Sequence, residues 1–136
     1  MLPNVREGLE SLKSSGLRLG VVSNFDSSLT PTLRALDLSS FFDFMVTSES
    51  AAAAKPEPAI FRRALGEFDA GPLPPQEVAH VGDELENDYF APRSLGMTAF
   101  LVDQEGHLSS AVMQKVIDRR HVVRDLKDVS EIVTQN

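Results

Sequence analysis

The chain has 136 residues, 42% hydrophobic and 24% charged, which is typical of one globular domain with one core. Thirteen lysines and arginines against twenty aspartates and glutamates give a formal net charge of −7, which argues against nucleic acid or an anionic membrane as the main partner. Cysteine is absent and no apolar run could cross a bilayer, which excludes disulfides, thiolate metal sites and a membrane span, and favours an intracellular, most simply cytoplasmic, location.

The first half of the chain alternates helical spacing with short apolar runs. Asn4 is placed to cap a first helix, which ends at the Ser-Ser-Gly of residues 14–16. A strand is predicted over 17–22, a helix over 30–38, a short apolar run over 41–46 and a helix over 58–68. The prolines beside residue 58 favour a helix start there.

The second half continues the alternation. Strands are predicted over 78–81 and 98–102, with a helix over 89–95 between them, then a helix over 109–116 and an edge strand over 121–123. Asp125 is expected to cap the last helix. Strands that alternate with helices predict a parallel sheet with helices on both faces. The expected fold is therefore α/β, a Rossmann-like three-layer core formed as a single domain by residues 1–136.

Two carboxylates follow the strand at 78–81 within one loop. Asp83 and Asp88 belong to the run Gly-Asp-Glu-Leu-Glu-Asn-Asp. Mg²⁺ prefers oxygen ligands and commonly takes one or two carboxylates, leaving its other positions to water and a substrate phosphate. The loop is therefore a candidate magnesium site, or else a solvated acidic turn before the next helix. His80, inside the strand, is interpreted as a core histidine with its hydrogen bonds satisfied.

Polar groups also follow two other predicted strands. Ser23 and Asn24 come directly after residues 17–22, where they could donate hydrogen bonds to phosphate oxygens or simply form a turn. Lys55 lies in Ala-Lys-Pro-Glu-Pro, whose stiff backbone could aim the lysine at a phosphate; the alternative is an exposed lysine at a helix start. Ligand chemistry in such folds is expected at the carboxyl ends of the strands.

The order of these three segments is more specific than any one of them. Strand then Ser23-Asn24, strand then Lys55-Pro-Glu-Pro, and strand then Gly-Asp83 followed by Asn-Asp88 resemble motifs two, three and four of the haloacid dehalogenase-like hydrolase superfamily. The resemblance runs from about residue 3 to residue 102. Within the superfamily, Ser-Asn-Phe-Asp at 23–26 and Phe-Asp-Phe at 42–44 look closest to one vertebrate subgroup.

The resemblance implies a reaction and a role for each matching residue. Members of the superfamily mostly transfer phosphoryl groups through an aspartyl-phosphate with Mg²⁺, so a Mg²⁺-dependent phosphatase-type hydrolase of a small phosphorylated substrate is expected; halide displacement stays open. By position, Ser23 would bind the phosphate and Asn24 would help define the pocket. Lys55 would be the catalytic group that balances the charge of nucleophile and phosphate. Asp83 and Asp88 would hold Mg²⁺ directly or through water.

The nucleophile of the family is missing from the sequence. In the family it is the first aspartate of an Asp-x-Asp-x-Thr-like motif on the first, central strand, and this chain begins where a family member returns from its helical cap to the core. First strand and cap are therefore expected to be absent, as in a fragment or short form with weak activity or none. The strands at 17–22 and 78–81 would lose a ladder partner, unless they close up or pair with another chain, which would cause self-association.

Two other functions compete with the hydrolase core. One is a non-catalytic chain, binding phosphate or metal or acting as a regulator, which would show no turnover even with the missing parts restored. The other is a phosphoacceptor receiver domain of similar length and sheet class. A receiver needs an acidic pair after its first strand and a lysine after its last, and the positions of Ser23 and Lys55 disfavour it.

Overall fold

The computed structural model describes residues 4–25, 28–68, 71–103 and 117–133. The described α-helices are α1 (Val5–Ser14), α2 (Leu29–Ala35), α3 (Ser48–Ala51), α4 (Pro58–Leu65), α5 (Ala91–Ser94) and α6 (Leu126–Val133). The described strands are β1 (Gly20–Ser23), β2 (Phe44–Thr47), β3 (Ala79–Gly82), β4 (Thr98–Val102) and β5 (Val122–Val123). Short 3-10 turns occur at Ser39–Phe41, Pro75–Glu77 and Arg119–His121, and a π-helical turn, Leu85–Phe90, leads into α5.

Every strand pair in the described ranges is parallel, as the alternation of strands and helices predicts. β1 pairs with β2, and β4 lies between β3 and β5. Ser23, the last residue of β1, is opposite Thr47, the last residue of β2. Parallel pairing brings the carboxyl ends of neighbouring strands to one edge, so the polar residues that follow β1 and β2 share that edge.

The strand ladder is interrupted between β1 and β3. Within the described residues, β1 is hydrogen-bonded only to β2, and β3 only to β4, which gives two sheets. The two strands do not close up on each other. Three of the four β1 residues and two of the four β3 residues are half-buried, whereas β4 is almost wholly buried. The predicted loss of a ladder partner at these strands is therefore present in the fold.

Helices cover both faces of the strands and make the predicted layered core. On one face, Phe100 and Val102 of β4 pack with α1 and α6. On the other face, Ala99 and Leu101 pack with the π-turn through the fully buried Tyr89. The helix α4 covers the β1–β2 sheet, with its apolar residues packed against Val46 and Met97. The alternation of inward residues along β4 follows from the period of two in a strand.

The first and last described helices pack closely because Gly8 lies at their crossing. A Cβ added to Gly8 would lie 2.8 Å from the Cβ of Leu126 on α6. Leu9 and Leu12 of α1 and Val129 of α6 belong to the same buried cluster. Leu126 and Val129 of α6 are buried as their spacing predicts, whereas Ile132 is 39% exposed. Asp125 caps α6 as expected, accepting a hydrogen bond from the backbone N–H of Asp128 at 2.9 Å.

Two local expectations differ from the structure. Asn4 precedes α1 but makes no side-chain cap, because its backbone is left-handed (φ 52°) and its carboxamide donates to Asp125 at 2.7 Å instead. The helix predicted over 89–95 begins earlier, as the π-turn at 85–90, and Pro92 falls in the first turn of α5, where a missing N–H is tolerated.

No helix in the described ranges is long and apolar enough to cross a membrane. The helix predicted over 109–116 lies outside the described residues. β5 is confirmed as the edge strand of its sheet.

Candidate functional site

The loop around Lys55 is fastened to the end of β1 by the side chain of Asn24. The backbone N–H of Lys55 donates to Oδ1 of Asn24 at 2.7 Å, and Nδ2 of Asn24 donates to the carbonyl of Lys55 at 3.0 Å. Both ends of one carboxamide are therefore used by one residue. This pair of bonds joins the segment after β1 to the segment after β2.

The Lys55 loop is also closed by its own hydrogen bonds. The backbone N–H of Glu57 donates to the carbonyl of Ala54 at 2.8 Å, and the N–H of Ala54 donates to the Glu57 carboxylate at 3.2 Å. The Lys55–Pro56 peptide bond is cis. Pro58 then begins α4, where its fixed φ suits the first helical turn. The expected stiffness of the Lys-Pro-Glu-Pro segment thus has a structural basis.

Lys55 extends to Asp88 on the π-turn that follows β3. Its Nζ lies 2.6 Å from Oδ1 of Asp88, and the side chains are only 13% and 5% exposed. Residues from motifs three and four of the sequence are therefore in direct contact. A buried pair of this kind interacts more strongly than an exposed one, because water screens it less.

Asp88 is held by further donors. Nε2 of His80 lies 2.9 Å from Oδ1, and the backbone N–H of Glu84 donates to Oδ2 at 3.1 Å. Burial by itself raises the pKa of Asp88, but the hydrogen bonds from His80 and Lys55, with the positive charge of Lys55, outweigh it. The result is a pKa well below the usual carboxyl range, so that Asp88 is ionised at neutral pH.

Gly82 gives the Asp88 carboxylate its space. A Cβ added at this last residue of β3 would lie 2.2 Å from Cγ and 2.3 Å from Oδ2 of Asp88. No side chain fits there without a shift of the backbone or of the π-turn. The glycine of the Gly-Asp motif is therefore required by the close approach of Asp88, and Oδ2 lies against the backbone beside Asp83.

Asp83 follows β3 directly and is exposed. Asn87 donates to the carboxylate of the neighbouring Glu84 at 2.6 Å, so the additional acid in this loop has a partner. Asp83 and Asp88 are hard oxygen donors, and Mg²⁺ needs only one or two such groups besides water and phosphate. Oδ2 of Asp88 accepts one hydrogen bond in the described structure and keeps a further lone pair.

The donor set thus fits Mg²⁺ as a partly hydrated ion. It does not resemble a site made wholly of protein ligands, because the described residues contain no group of three or more His, Cys, Asp or Glu placed to hold a metal. The loop is more than a solvated acidic turn, since Asp88 is buried and has three donors around it.

The structure brings some of the predicted residues together more closely than others. Asn24, Lys55 and Asp88 form one connected chain of contacts. Ser23 precedes Asn24 at the end of β1, and Asp83 lies at the end of β3. His80 was expected to be a core residue with satisfied hydrogen bonds; it is half-buried, and its partner is Asp88. The alternation of side chains along a strand could have indicated that His80 belongs to the site, because His80 and Gly82 lie on the same face of β3.

The parallel strands, the helices on both faces and the charged groups at the strand ends define a Rossmann-like α/β protein with its site at the carboxyl edge. The chain belongs to the haloacid dehalogenase-like hydrolases, whose family model, Haloacid dehalogenase-like hydrolase, matches residues 1–102. The resemblance inferred from the three motifs, and its extent, are confirmed.

Three curated relatives bear on the reaction class. The chain is 40% identical over 124 residues to haloacid dehalogenase-like hydrolase domain-containing protein 3 of Xenopus laevis, covering 91% of this chain and 48% of that protein. It is 39% identical over 101 residues to phosphoglycolate phosphatase of Nitrosospira multiformis (74% and 43%), and 34% identical over 131 residues to glyceraldehyde 3-phosphate phosphatase of Methanothermobacter thermautotrophicus (96% and 53%). The first of these is the vertebrate subgroup expected from residues 23–26 and 42–44. The chain spans about half the length of the curated relatives it matches.

Solved structures agree on the fold. A HAD phosphatase from Thermococcus onnurineus superposes with a TM-score of 0.81 at 27% identity, covering 96% of this chain and 57% of that one. The HAD hydrolase YfnB from Bacillus subtilis, described as bound to magnesium, superposes with a TM-score of 0.79 at 19% identity, covering 97% and 54%. The second likeness concerns the fold alone. The predicted fold class is confirmed.

Proposed function

We propose that this chain forms the phosphate- and Mg²⁺-binding part of a phosphatase-type hydrolase that, as a whole protein, cleaves a small phosphate ester. The observation that carries the proposal is the buried contact between Lys55 and Asp88 at the carboxyl edge of the strands. The phosphatases among the relatives support the reaction class, and the two carboxylates that follow β3, Asp83 and Asp88, support the metal.

Each residue takes a role that its position supports. Ser23 offers a hydroxyl to phosphate oxygens at the end of β1. Lys55 supplies positive charge beside phosphate and carboxylates, and Asn24 acts mainly by holding the Lys55 backbone in place. Asp83 and Asp88 hold Mg²⁺, directly or through water. In this arrangement Asn24 need not touch the substrate.

These groups suit phosphoryl transfer, which depends mainly on positioning and on stabilising charge spread over the phosphate oxygens. Lys55 is largely withdrawn from water, so its charge acts on a phosphate with reduced screening. Bound Mg²⁺ would add positive charge at the phosphate oxygens. The ionised carboxylate of Asp88 pairs with Lys55 and would hold Mg²⁺ without changing its own protonation at neutral pH.

We assign no nucleophile of the proposed reaction to this chain. The sequence contains no Asp-x-Asp pair, so the family's nucleophile and acid–base group have no counterpart here by motif. We infer that the chain alone turns over substrate weakly or not at all. A single core domain over residues 1–136 and an intracellular location, favoured by the absence of cysteine, are part of the same proposal.

A titration with Mg²⁺ tests the metal site directly. Isothermal titration of the chain should give saturable binding that Asp83→Asn weakens by about tenfold or more. Asp37→Asn is the matched control, since it removes one carboxylate from an exposed position beside Arg6 and should leave the affinity unchanged. Equal Mg²⁺ affinity in wild type and Asp83→Asn would remove the metal assignment.

A second candidate function is a non-catalytic chain that retains a phosphate and metal pocket. The interrupted ladder between β1 and β3, together with the missing aspartate motif, favours it. The intact mass of the endogenous protein separates the two, because the sequence corresponds to 14.9 kDa. A much larger mass with an aspartate motif upstream would support the hydrolase, and the mass of this sequence would support the non-catalytic chain.

We also propose that the isolated chain self-associates through β1 and β3. Each strand has an edge without a hydrogen-bonded neighbour in the described structure. Such edges pair readily with another strand. Hydrogen exchange and sedimentation, each measured over a range of protein concentrations, test this proposal.

A further inference from the structure

Asp88 is held from two directions besides Lys55. In the described part of the chain, Oδ1 accepts from Nζ of Lys55 and lies 2.9 Å from Nε2 of His80, while Oδ2 accepts from the N–H of Glu84. At neutral pH a carboxylate is ordinarily ionised and only accepts hydrogen bonds, so the nitrogen of His80 that lies 2.9 Å from Oδ1 carries the hydrogen. His80 is thus a donor to the oxygen that Lys55 also uses.

His80 is itself fixed in position. It lies in the middle of β3, paired in register with Ala99 of β4. Its ring meets the ring of Phe61 edge-on, with centroids 5.2 Å apart and planes at 89°, and Phe61 is only 1% exposed. The His80 side chain is 11% exposed. A donor in the middle of a paired strand, in contact with a buried aromatic ring, has little freedom to follow a moving partner.

Lys55 cannot hold Asp88 in the same way while it serves a phosphate. Its flexible side chain carries a point charge that a bound phosphate would share. When Lys55 turns toward phosphate, the remaining donors on Asp88 are His80 on Oδ1 and Glu84 on Oδ2. These two donors act on different oxygens, so together they still define the plane of the carboxylate.

We propose that His80 is a positioning residue of the metal site: by donating from Nε2 to Oδ1 it fixes the Asp88 carboxylate so that Oδ2 stays beside the backbone of Gly82 and Glu84, next to Asp83. The proposal rests on the proposed function, since it takes Asp83 and Asp88 as the Mg²⁺ ligands. Partners that orient a metal-binding carboxylate commonly change metal affinity when they are removed. His80 touches neither metal nor substrate in this role.

The alternative is that His80 only fills space beneath Phe61. His80→Leu keeps an apolar side chain there and removes the donor, whereas His80→Gln restores an N–H at a similar distance from the backbone. A role in packing alone would lower the melting temperature of His80→Leu without changing its Mg²⁺ affinity. A positioning role separates the two variants by affinity.

The experiment compares Mg²⁺ titrations of wild type, His80→Leu and His80→Gln, each checked by thermal unfolding. We expect His80→Leu to bind Mg²⁺ about tenfold or more weakly, and His80→Gln to recover most of that loss. Wild-type affinity in His80→Leu, or equal weakening in both variants, would overturn the proposal. If His80→Leu does not fold, His80→Met takes its place under the same two criteria.

A measurement on the unaltered chain tests the geometry without metal. Long-range ¹H–¹⁵N NMR of the His80 ring should find the hydrogen on Nε2. A neutral ring protonated only on Nδ1 would overturn the positioning role, whatever the Mg²⁺ titration gives. If Nε2 carries the hydrogen but wild type binds no Mg²⁺, the proposed function fails first, and the role of His80 in that site fails with it.

Discussion

At the scale of the residue, the site depends on how Asp88 is accommodated. A buried carboxylate is costly unless it is paired and hydrogen-bonded. Here Lys55, His80 and the Glu84 N–H meet it, and Gly82 leaves room for it. The low pKa of Asp88 and the absence of a side chain at Gly82 lead to separate predictions.

Gly82→Ala should destabilise the chain by about 1–3 kcal/mol, as overpacking of a close contact usually does. The added methyl would lie 2.2 Å from Cγ of Asp88. Chemical denaturation in urea measures the change in the free energy of unfolding. Gly66→Ala is the control, because its Cβ would come no closer than 3.5 Å to the backbone of α4 and should cost little. Equal stability of the two variants would contradict the close approach.

The stability contributed by Asp88 should depend on pH. Since the folded pKa of Asp88 lies below its ordinary value of 3.8, its ionisation stabilises the fold fully above the ordinary value, and this contribution is lost as the pH falls below it. The difference in unfolding free energy between wild type and Asp88→Asn should therefore shrink from pH 7 toward pH 3. Asp37→Asn measures the effect of removing an exposed negative charge. A constant difference for Asp88→Asn across that range would contradict the prediction.

At the scale of the element, a pair of loop hydrogen bonds and the packing of two helices position the site. The hydrogen bonds of Asn24 join the loop after β2 to the end of β1, so that Lys55 starts from a fixed backbone. The closely packed α1 and α6 cover the face of β4 and β5 that lies opposite the π-turn. Because β4 pairs with β3, this support reaches the strand that carries His80 and Gly82.

Gly8→Ala should destabilise the packing of α1 on α6. Replacing a helical glycine by alanine ordinarily gains up to about 1 kcal/mol, but here the Cβ would lie 2.8 Å from Leu126, and overpacking costs about 1–3 kcal/mol. A net loss is therefore expected in thermal and urea unfolding. Glu10→Ala, at an exposed position of α1, should change stability by less than about 0.5 kcal/mol. A gain in stability for Gly8→Ala would contradict the close crossing.

At the scale of the whole molecule, the interruption between β1 and β3 is the dominant feature. Val21 and Val22 of β1 and Val81 of β3 are partly buried, yet each strand has one hydrogen-bonded neighbour in the described structure. The chain covers about half of its curated relatives. Removing an unpaired backbone N–H or C=O group from water costs free energy. These edges therefore favour any additional strand that can pair with them.

Hydrogen exchange should detect the open edges. In β1 and β3, alternate amides face the unpaired side and should exchange fast at low protein concentration, whereas the amides of β4, which has a strand on both sides, should be protected. Raising the concentration should slow exchange at the open edges and increase the sedimentation coefficient if the chain self-associates. Uniform protection of β1 and β4 at low concentration would contradict the interrupted ladder, and a monomer at all concentrations would contradict self-association.

The order and type of most described elements follow from the sequence, because apolar periodicity and capping are local properties. The strand at 98–102 was predicted with its observed bounds, and β1 and β3 within one to three residues. The π-turn at 85–90 was missed, since its wider winding is adopted together with the burial of Asp88, a tertiary event. The cap expected at Asn4 failed because a residue 121 positions away competes for its side chain.

For the site, the residue types and their order along the chain already specify the chemistry: a hydroxyl, a carboxamide, a lysine and two aspartates in an order that indicates the family. The contacts among them follow only from the fold. It placed Lys55 on Asp88, used both ends of the Asn24 carboxamide to hold the lysine backbone, and made His80 a partner of Asp88. Residue types and their order are local information, whereas these contacts join positions 8 to 33 residues apart and depend on strand pairing and packing.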